Sequence, residues 1–225
     1  MKLRSTAIVF AFPLMLALTL GACSSSSDSA ATDPATEAVV DDSAGSETIP
    51  ADIVAADTIP ADAEFNANDV TFAQGMIPHH QQAVEMSTIA LDPERNASAE
   101  VKDLATRIQG AQDPEIQLMT GWLTEWGQPV DAMTGMEGME GMETGDMPGT
   151  EGMMSLDEMT GLEAANGPAF DKLWLDMMVR HHQGAVTMSK TAQTDGKAAV
   201  VKELAGKIIS AQEAEIAEMS KVLAG

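Results

Sequence analysis

The chain repeats itself. "MIPHHQQAVEMS" at residues 76–87 returns as "MVRHHQGAVTMS" at 178–189, and "VKDLATRIQGAQDPEIQLM" at 101–119 returns as "VKELAGKIISAQEAEIAEM" at 201–219. The first pair is displaced by 102 residues and the second by 100, a difference that fits one altered loop inside a repeated hairpin. Apolar residues recur every three or four positions: Phe72, Met76, Ala83 and Met86 in the first segment, Val101, Leu104, Ile108, Ala111, Leu118 and Trp122 in the second. Val201, Leu204, Ile208, Ala211, Ile216, Met219 and Leu223 do the same in the last, and Phe170 to Thr191 reads as the third. That period is helical, and the β-branched alternation of a sheet is scarce. A lone helical hairpin cannot bury its apolar stripe. The duplication therefore predicts an all-α fold, an antiparallel four-helix bundle made of two hairpins.

Local punctuation divides the segments. Asp92 followed by Pro93, and then Ser98, offer helix-start chemistry between the first two. The second ends near Gly127 and Pro129, and Ser155 with Glu158 forms a capping-box pattern for a short extra helix. Asn166, Gly167 and Pro168 break that helix, and Gly196 separates the third long helix from a fourth running from about Lys197 to Leu223. Pro78 and Pro114 fall inside helices, but their counterparts in the second copy are Arg180 and Ala214, so the architecture remains helical and Gly75 with Pro78 predicts a kink.

The N-terminal third has a different character. Lys2 and Arg4 precede an apolar run from Ala7 to Leu20, closed by Leu20, Gly21, Ala22 and Cys23. This predicts a signal peptide over 1–22, resembling a bacterial lipobox with Cys23 as the lipidated residue; an uncleaved membrane anchor is the alternative. Cys23 is the only cysteine, so no intrachain disulfide forms. No Lys or Arg occurs from Ser24 to Asp69, and residues 23–65 read as a disordered acidic linker. Residues 66–225 then form the bundle, interrupted by a Met/Gly-rich loop at 131–154. The formal charge of −23 opposes binding to nucleic acid or to an anionic membrane surface. The expected place is extracytoplasmic, on the cell membrane through the lipid anchor only.

All four histidines sit in the two repeated pairs. On a helix Met76 neighbours both His79 and His80, and Met178 neighbours His181 and His182, with Met177 four residues before His181. Met86 and Met188 return to the same face about 10 Å further along the axis. They can extend a track of sites or reach across the bundle. Thioether sulfur is soft and imidazole borderline, and with no thiolate in the set the pair points to copper, Cu(I) above all, with Cu(II) or Ag(I) as alternatives. Methionine as core filler explains the sulfurs but not two adjacent imidazoles in each copy, which need burial partners. On the other helix of each hairpin Gln112, Glu115 and Met119, and again Gln212, Glu215 and Met219, share one face. Either they orient the imidazoles by hydrogen bonds or they lie at the stripe's edge in water. Between the halves, Met133, Met136, Met139 and Met142 recur every three residues among Gly and acids. That stretch reads as a sulfur arm that captures Cu(I), or as a low-complexity linker.

"MIPHHQQAVEMS" and "FDKLWLDMMVRHHQGAVTMS", each followed by a helix bearing "AQxxEIxxM", resemble the bacterial DUF305 family (domain of unknown function 305) from about residue 66 onward. The resemblance implies a ferritin-like four-helix bundle and, as in the family's periplasmic copper-binding members, copper held by Met76, His79, His80 and Met86 and by Met178, His181, His182 and Met188. Arg180 in place of Pro78 and the Met-rich loop are departures. The expected function is an exported, lipid-anchored copper-binding protein that sequesters copper or exchanges it with a delivery partner, contributing to metal tolerance or homeostasis. A copper-independent envelope interaction module is the alternative. A metal-dependent redox enzyme is less favoured, because di-metal carboxylate chemistry needs Glu-x-x-His and Met76 and Met178 occupy those glutamate positions. The chain is thus expected not to be an enzyme.

Overall fold

A computed structural model describes residues 64–130 and 150–225. The expected signal peptide, Cys23, the linker up to residue 63 and residues 131–149 of the Met/Gly-rich stretch lie outside the described residues. The described residues form five α-helices and one 3-10 turn, with no strand among them: α1 Ala67–Leu91, the turn Pro93–Arg95, α2 Ala99–Glu125, α3 Leu156–Ala164, α4 Gly167–Asp195 and α5 Ala199–Ala224.

The helix starts follow their caps. Asn66 accepts from the Asn68 and Asp69 amides while the Asp69 carboxylate accepts from the Asn66 amide, a reciprocal box that sets α1 about one turn earlier than its apolar period indicates. Asp92 caps the 3-10 turn, Ser98 caps α2 and the Ser155–Glu158 box starts α3, as the sequence suggests. α4 begins at Gly167, ahead of the expected Phe170, with Pro168 in its first turn. α1 passes through Pro78 and α2 through Pro114 without a break in either helix.

On α1 the buried residues Asp69, Ala73, Met76, His80, Ala83, Ser87 and Ala90 alternate steps of four and three. On α4, Trp174, Met178, His181, Ala185, Met188 and Ala192 do the same. This is the seam of a helix packed along its length on a partner, and both histidine pairs lie in it. α1 pairs with α2 and α4 with α5 as hairpins, and the hairpins face each other through α1 and α4.

Two aspartates at equivalent positions lock that contact. Asp69, fully buried, accepts from the Lys197 and Ala198 amides at 3.0 and 3.1 Å, supplying the start of α5 with the cap its own Ala198 cannot give. Asp171 in turn accepts from the Ser98 amide at 3.0 Å ahead of α2. Each hairpin thus caps the other's second helix, and the start of α1 lies beside the end of α4, which makes the two antiparallel. Replacing Asp69 with Ala strands the buried Ala198 amide and the part-buried Lys197 amide and is expected to cost about 3 kcal/mol, whereas Asp171→Ala, at a half-exposed position, costs about 1 kcal/mol. Denaturant unfolding of the two variants checks the order.

Candidate metal centre

α1 and α4 meet at their histidines. The His79 and His181 ring centroids are 3.8 Å apart with planes tilted by 41°, and His182 follows at 6.3 Å from His181. All four imidazoles have 0% exposure. Only because adjacent histidines straddle a seam of alternating three- and four-residue steps can both members of each pair point inward.

Three of the four rings are held by an acceptor at one nitrogen. His80 Nε2 donates to the Glu115 carboxylate at 2.7 Å, and His182 Nε2 donates to Glu215 at 2.8 Å, so the second helix of each hairpin orients one imidazole of the first. His79 Nε2 donates to the Glu151 backbone carbonyl at 2.9 Å. Each of these bonds places a proton on Nε2, because a carbonyl or carboxylate oxygen can only accept. His79, His80 and His182 Nδ1, and both nitrogens of His181, are buried without a hydrogen-bonding partner. Burial, with the neighbouring His80 charge adding to it, pushes the His79 imidazole down to about 3, against a weaker upward pull from the Glu151 carbonyl. Burial and the surrounding histidines push His181 well below its ordinary range. Both rings are therefore neutral at physiological pH, with lone pairs available.

The methionines sort across the helix contact. Met76, Met119 and Met188 share one buried cluster with Phe72 and Trp122. Met86, Met177, Met178 and Met219 share the other with Phe170 and Trp174. Each cluster joins the methionine before one histidine pair to the methionine after the other, so Met86 and Met188 reach across to the opposite helix. Trp174 donates its indole proton to the Met86 carbonyl at 3.0 Å, tying the second cluster's frame together.

Gln112 and Gln212 are buried, but no hydrogen bond joins either to an imidazole, and their Oε1 atoms are unpaired. The orienting role expected of the Gln and Glu together falls to the glutamates. Their carboxylates take the Nε2 protons of His80 and His182. Sequence reasoning passed over Ser87 and Ser189, which follow Met86 and Met188, are fully buried and have unpaired hydroxyls; their repetition in the motif was the signal. It also passed over Glu151, whose contribution is a backbone carbonyl and leaves no mark on residue type.

Among the described residues no three His, Cys, Asp or Glu side chains converge as a metal cage. The buried ring nitrogens, with thioethers in the apolar clusters on either side, are donor types that suit a soft cation. Left unpaired, buried polar atoms of this kind cost about 1–3 kcal/mol each.

Residues 69–223 match the family described as Domain of unknown function (DUF305). Among solved structures, a DUF305 protein of Streptomyces coelicolor, described as secreted, is similar at 36% identity and TM-score 0.60, covering 70% of this chain and 92% of that one. A DUF305 fragment from Deinococcus radiodurans is similar at 32% identity and TM-score 0.60, covering 71% and 97%. CopM, solved in its Cu(II)-bound form, is similar at 34% identity and TM-score 0.55, covering 69% and 95%, and it has also been solved bound to Cu(I) and to silver. No curated protein matches the chain. The helical hairpin pairs, the histidine motifs and the family match over most of the chain agree: this protein belongs to the DUF305 family.

Proposed function

We propose that the chain is a copper-binding protein of the cell envelope, whose two hairpins form an antiparallel ferritin-like four-helix bundle around the cargo ion. The observation that carries this reading is the sealed cluster of four imidazoles with unpartnered nitrogens, flanked by thioethers from both halves. Similarity to CopM, which binds Cu(I), Cu(II) and silver, supports it. Imidazole serves either copper oxidation state and thioether favours Cu(I), so a site rich in both holds Cu(I) most tightly. Met76, His79, His80, Met86, Met177, Met178, His181, His182 and Met188 are the donors, with Glu115 and Glu215 orienting His80 and His182. Met119 and Met219 sit in the same sulfur clusters. The protein acts by holding and passing on copper rather than by catalysis.

Its place is outside the cytoplasm. Cys23 carries the lipid that anchors it, the acidic stretch up to residue 65 tethers the bundle, and the methionines from Met133 onward collect Cu(I) from delivery partners. Among the described residues no helix is long and apolar enough to cross a membrane.

Titration of the purified protein with Cu(I) against a competing chelator tests this directly. Tight binding is expected, weakened by about 10- to 100-fold in Glu115→Gln or Glu215→Gln, since a group orienting a ligand is worth that much. Wild-type protein that leaves the ion with a weak chelator sinks the proposal.

Folding alone supplies no reason to bury His181. His181→Leu removes two unpaired buried nitrogens and is expected to leave the metal-free protein as stable as wild type or stabler by about 1–3 kcal/mol, while Cu(I) affinity falls. A role in packing alone predicts the reverse, a less stable fold with unchanged binding.

Acid sensitivity follows from the same burial. The folded His79 imidazole stays unprotonated down to about pH 3, whereas the unfolded one takes a proton near 6.5. Below 6.5 the unfolded state binds the proton that the native state refuses, so the metal-free protein loses stability as pH falls from 6.5 toward 3, at roughly 1 kcal/mol per pH unit from this residue. Denaturant midpoints at pH 7 and pH 5 are expected to show the drop in wild type and a smaller one in His79→Leu.

A further inference from the structure

The two copies of the histidine motif differ at four positions out of twelve, and three of the residues at those positions meet one short segment. Pro78 and Gln82 of the first copy stand where Arg180 and Gly184 stand in the second. The segment is Glu151–Met154, immediately before α3. Gln82 clamps it twice, its Nε2 donating to the Met154 carbonyl at 2.9 Å and its Oε1 accepting from the Met154 amide at 2.7 Å. Arg180 reaches the Met154 sulfur and the Glu158 carboxylate.

Gly184 is the seat. A Cβ there would lie 1.7 Å from the Glu151 carbonyl oxygen, closer than any side chain tolerates, and 3.0 Å from the Gly152 Cα. Gly152 itself, at φ +80°, adopts backbone that glycine alone takes readily, and its own Cβ would meet the Arg180 carbonyl at 2.6 Å. Two glycines thus let one backbone lie directly on α4, and the carbonyl so placed is the acceptor of His79 Nε2.

We propose that Glu151–Met154 is a positioning strap that holds His79 with its proton on Nε2, so that this ring offers Nδ1 alone as a donor. The Glu151 carbonyl does for His79 what the Glu115 and Glu215 carboxylates do for His80 and His182. Gln82 and Gly184 are positioning residues in this account. They touch the strap, which touches the ring. The duplication makes the device possible, because the same motif position supplies a clamp on one helix and a clearance on the other.

For metal binding the strap matters only if the copper reading holds, but the tautomer is a property of the metal-free protein, so two measurements separate the two claims. The first is imidazole nitrogen NMR of the metal-free full chain at neutral pH. The strap requires a protonated Nε2 and a bare Nδ1 at His79 in wild type. In Gly184→Ala, whose Cβ lifts the strap, it requires a mixture of tautomers at His79 with His80 unchanged. Gln82→Ala, which removes both clamps and introduces no clash, is the second variant should Gly184→Ala fold poorly; it is expected to speed solvent exchange of the His79 Nε2 proton. A wild-type His79 protonated on Nδ1, or variants that leave its nitrogen signals and proton exchange untouched, overturn the proposal.

The second measurement is titration with Ag(I) as a redox-silent probe. Gly184→Ala is expected to bind about tenfold more weakly than wild type, the low end of what losing an orienting group costs. Unchanged affinity alongside a released tautomer overturns the strap's role in binding. Absence of Ag(I) binding in wild type overturns that role too and brings down the copper reading, while the NMR result still decides the strap itself.

Discussion

Four imidazoles buried in the contact between α1 and α4 are the constraint on which the molecule is organised. An antiparallel helix pair ordinarily fills its seam with aliphatic side chains, which need nothing but volume. Here the centre of the seam is polar, and the consequences spread outward from it. Glutamates on α2 and α5 are drawn inward to hold His80 and His182, a backbone carbonyl is brought in to hold His79, and the apolar core divides into two clusters on either side of the histidines. Stability must come from the ends of the seam. There the aromatic residues Phe72, Trp122, Phe170 and Trp174 pack, and Asp69 and Asp171 tie one hairpin to the loop of the other.

Duplication solves a geometric problem that one hairpin cannot. On a single helix the methionine seven residues after a histidine is about two turns away, too far to share an ion with it. Two antiparallel copies crossing at the histidines reverse that spacing, so Met188 falls in the same cluster as Met76 and Met86 in the same cluster as Met178. One motif, written twice, supplies both ends of each sulfur cluster. The same relation explains why Asp69 and Asp171 act in trans: near an antiparallel crossing, the start of each first helix lies against the turn of the opposite hairpin.

How much of this is readable from the residues follows from what kind of group does the work. Side chains that act through their own chemistry and periodicity are legible: the helical period, the Ser98 and Ser155 caps and the placing of both histidine pairs on one face all stand in the sequence. Start points set by polar residues are not, which is why α1 begins at Ala67 under the Asn66–Asp69 box although its apolar rhythm begins at Phe72. The glutamates at 115 and 215 could be placed on a face but not assigned to water or to imidazole, because that choice depends on how closely the helices approach. Gln112 and Gln212 share the face and make no bond to a ring. Contributions from backbone are invisible altogether. Nothing about Glu151 as a residue type announces that its carbonyl holds His79, and only the paired glycines, Gly152 and Gly184, mark where two backbones come together.

The polar centre also explains why the fold tolerates its own cost. An unpaired imidazole nitrogen in a dry core is a standing penalty, and replacing such groups with well-packed apolar ones often stabilises a protein. A cluster of such nitrogens is disfavoured on its own for the same reason that it suits the proposed cargo: no protein donor occupies them. Since a ligand that binds the native state alone stabilises it by mass action, a cation held there, as proposed, would return some of that cost. The thioethers on either side make a soft cation the one best able to do so. Their sulfurs satisfy such an ion without needing polar partners of their own, so they can wait in an apolar core at no penalty, which imidazoles cannot. The division of labour in the proposed site is therefore physical: sulfur would set the preference for a soft ion, and the buried nitrogens would gain the partner that the fold does not give them.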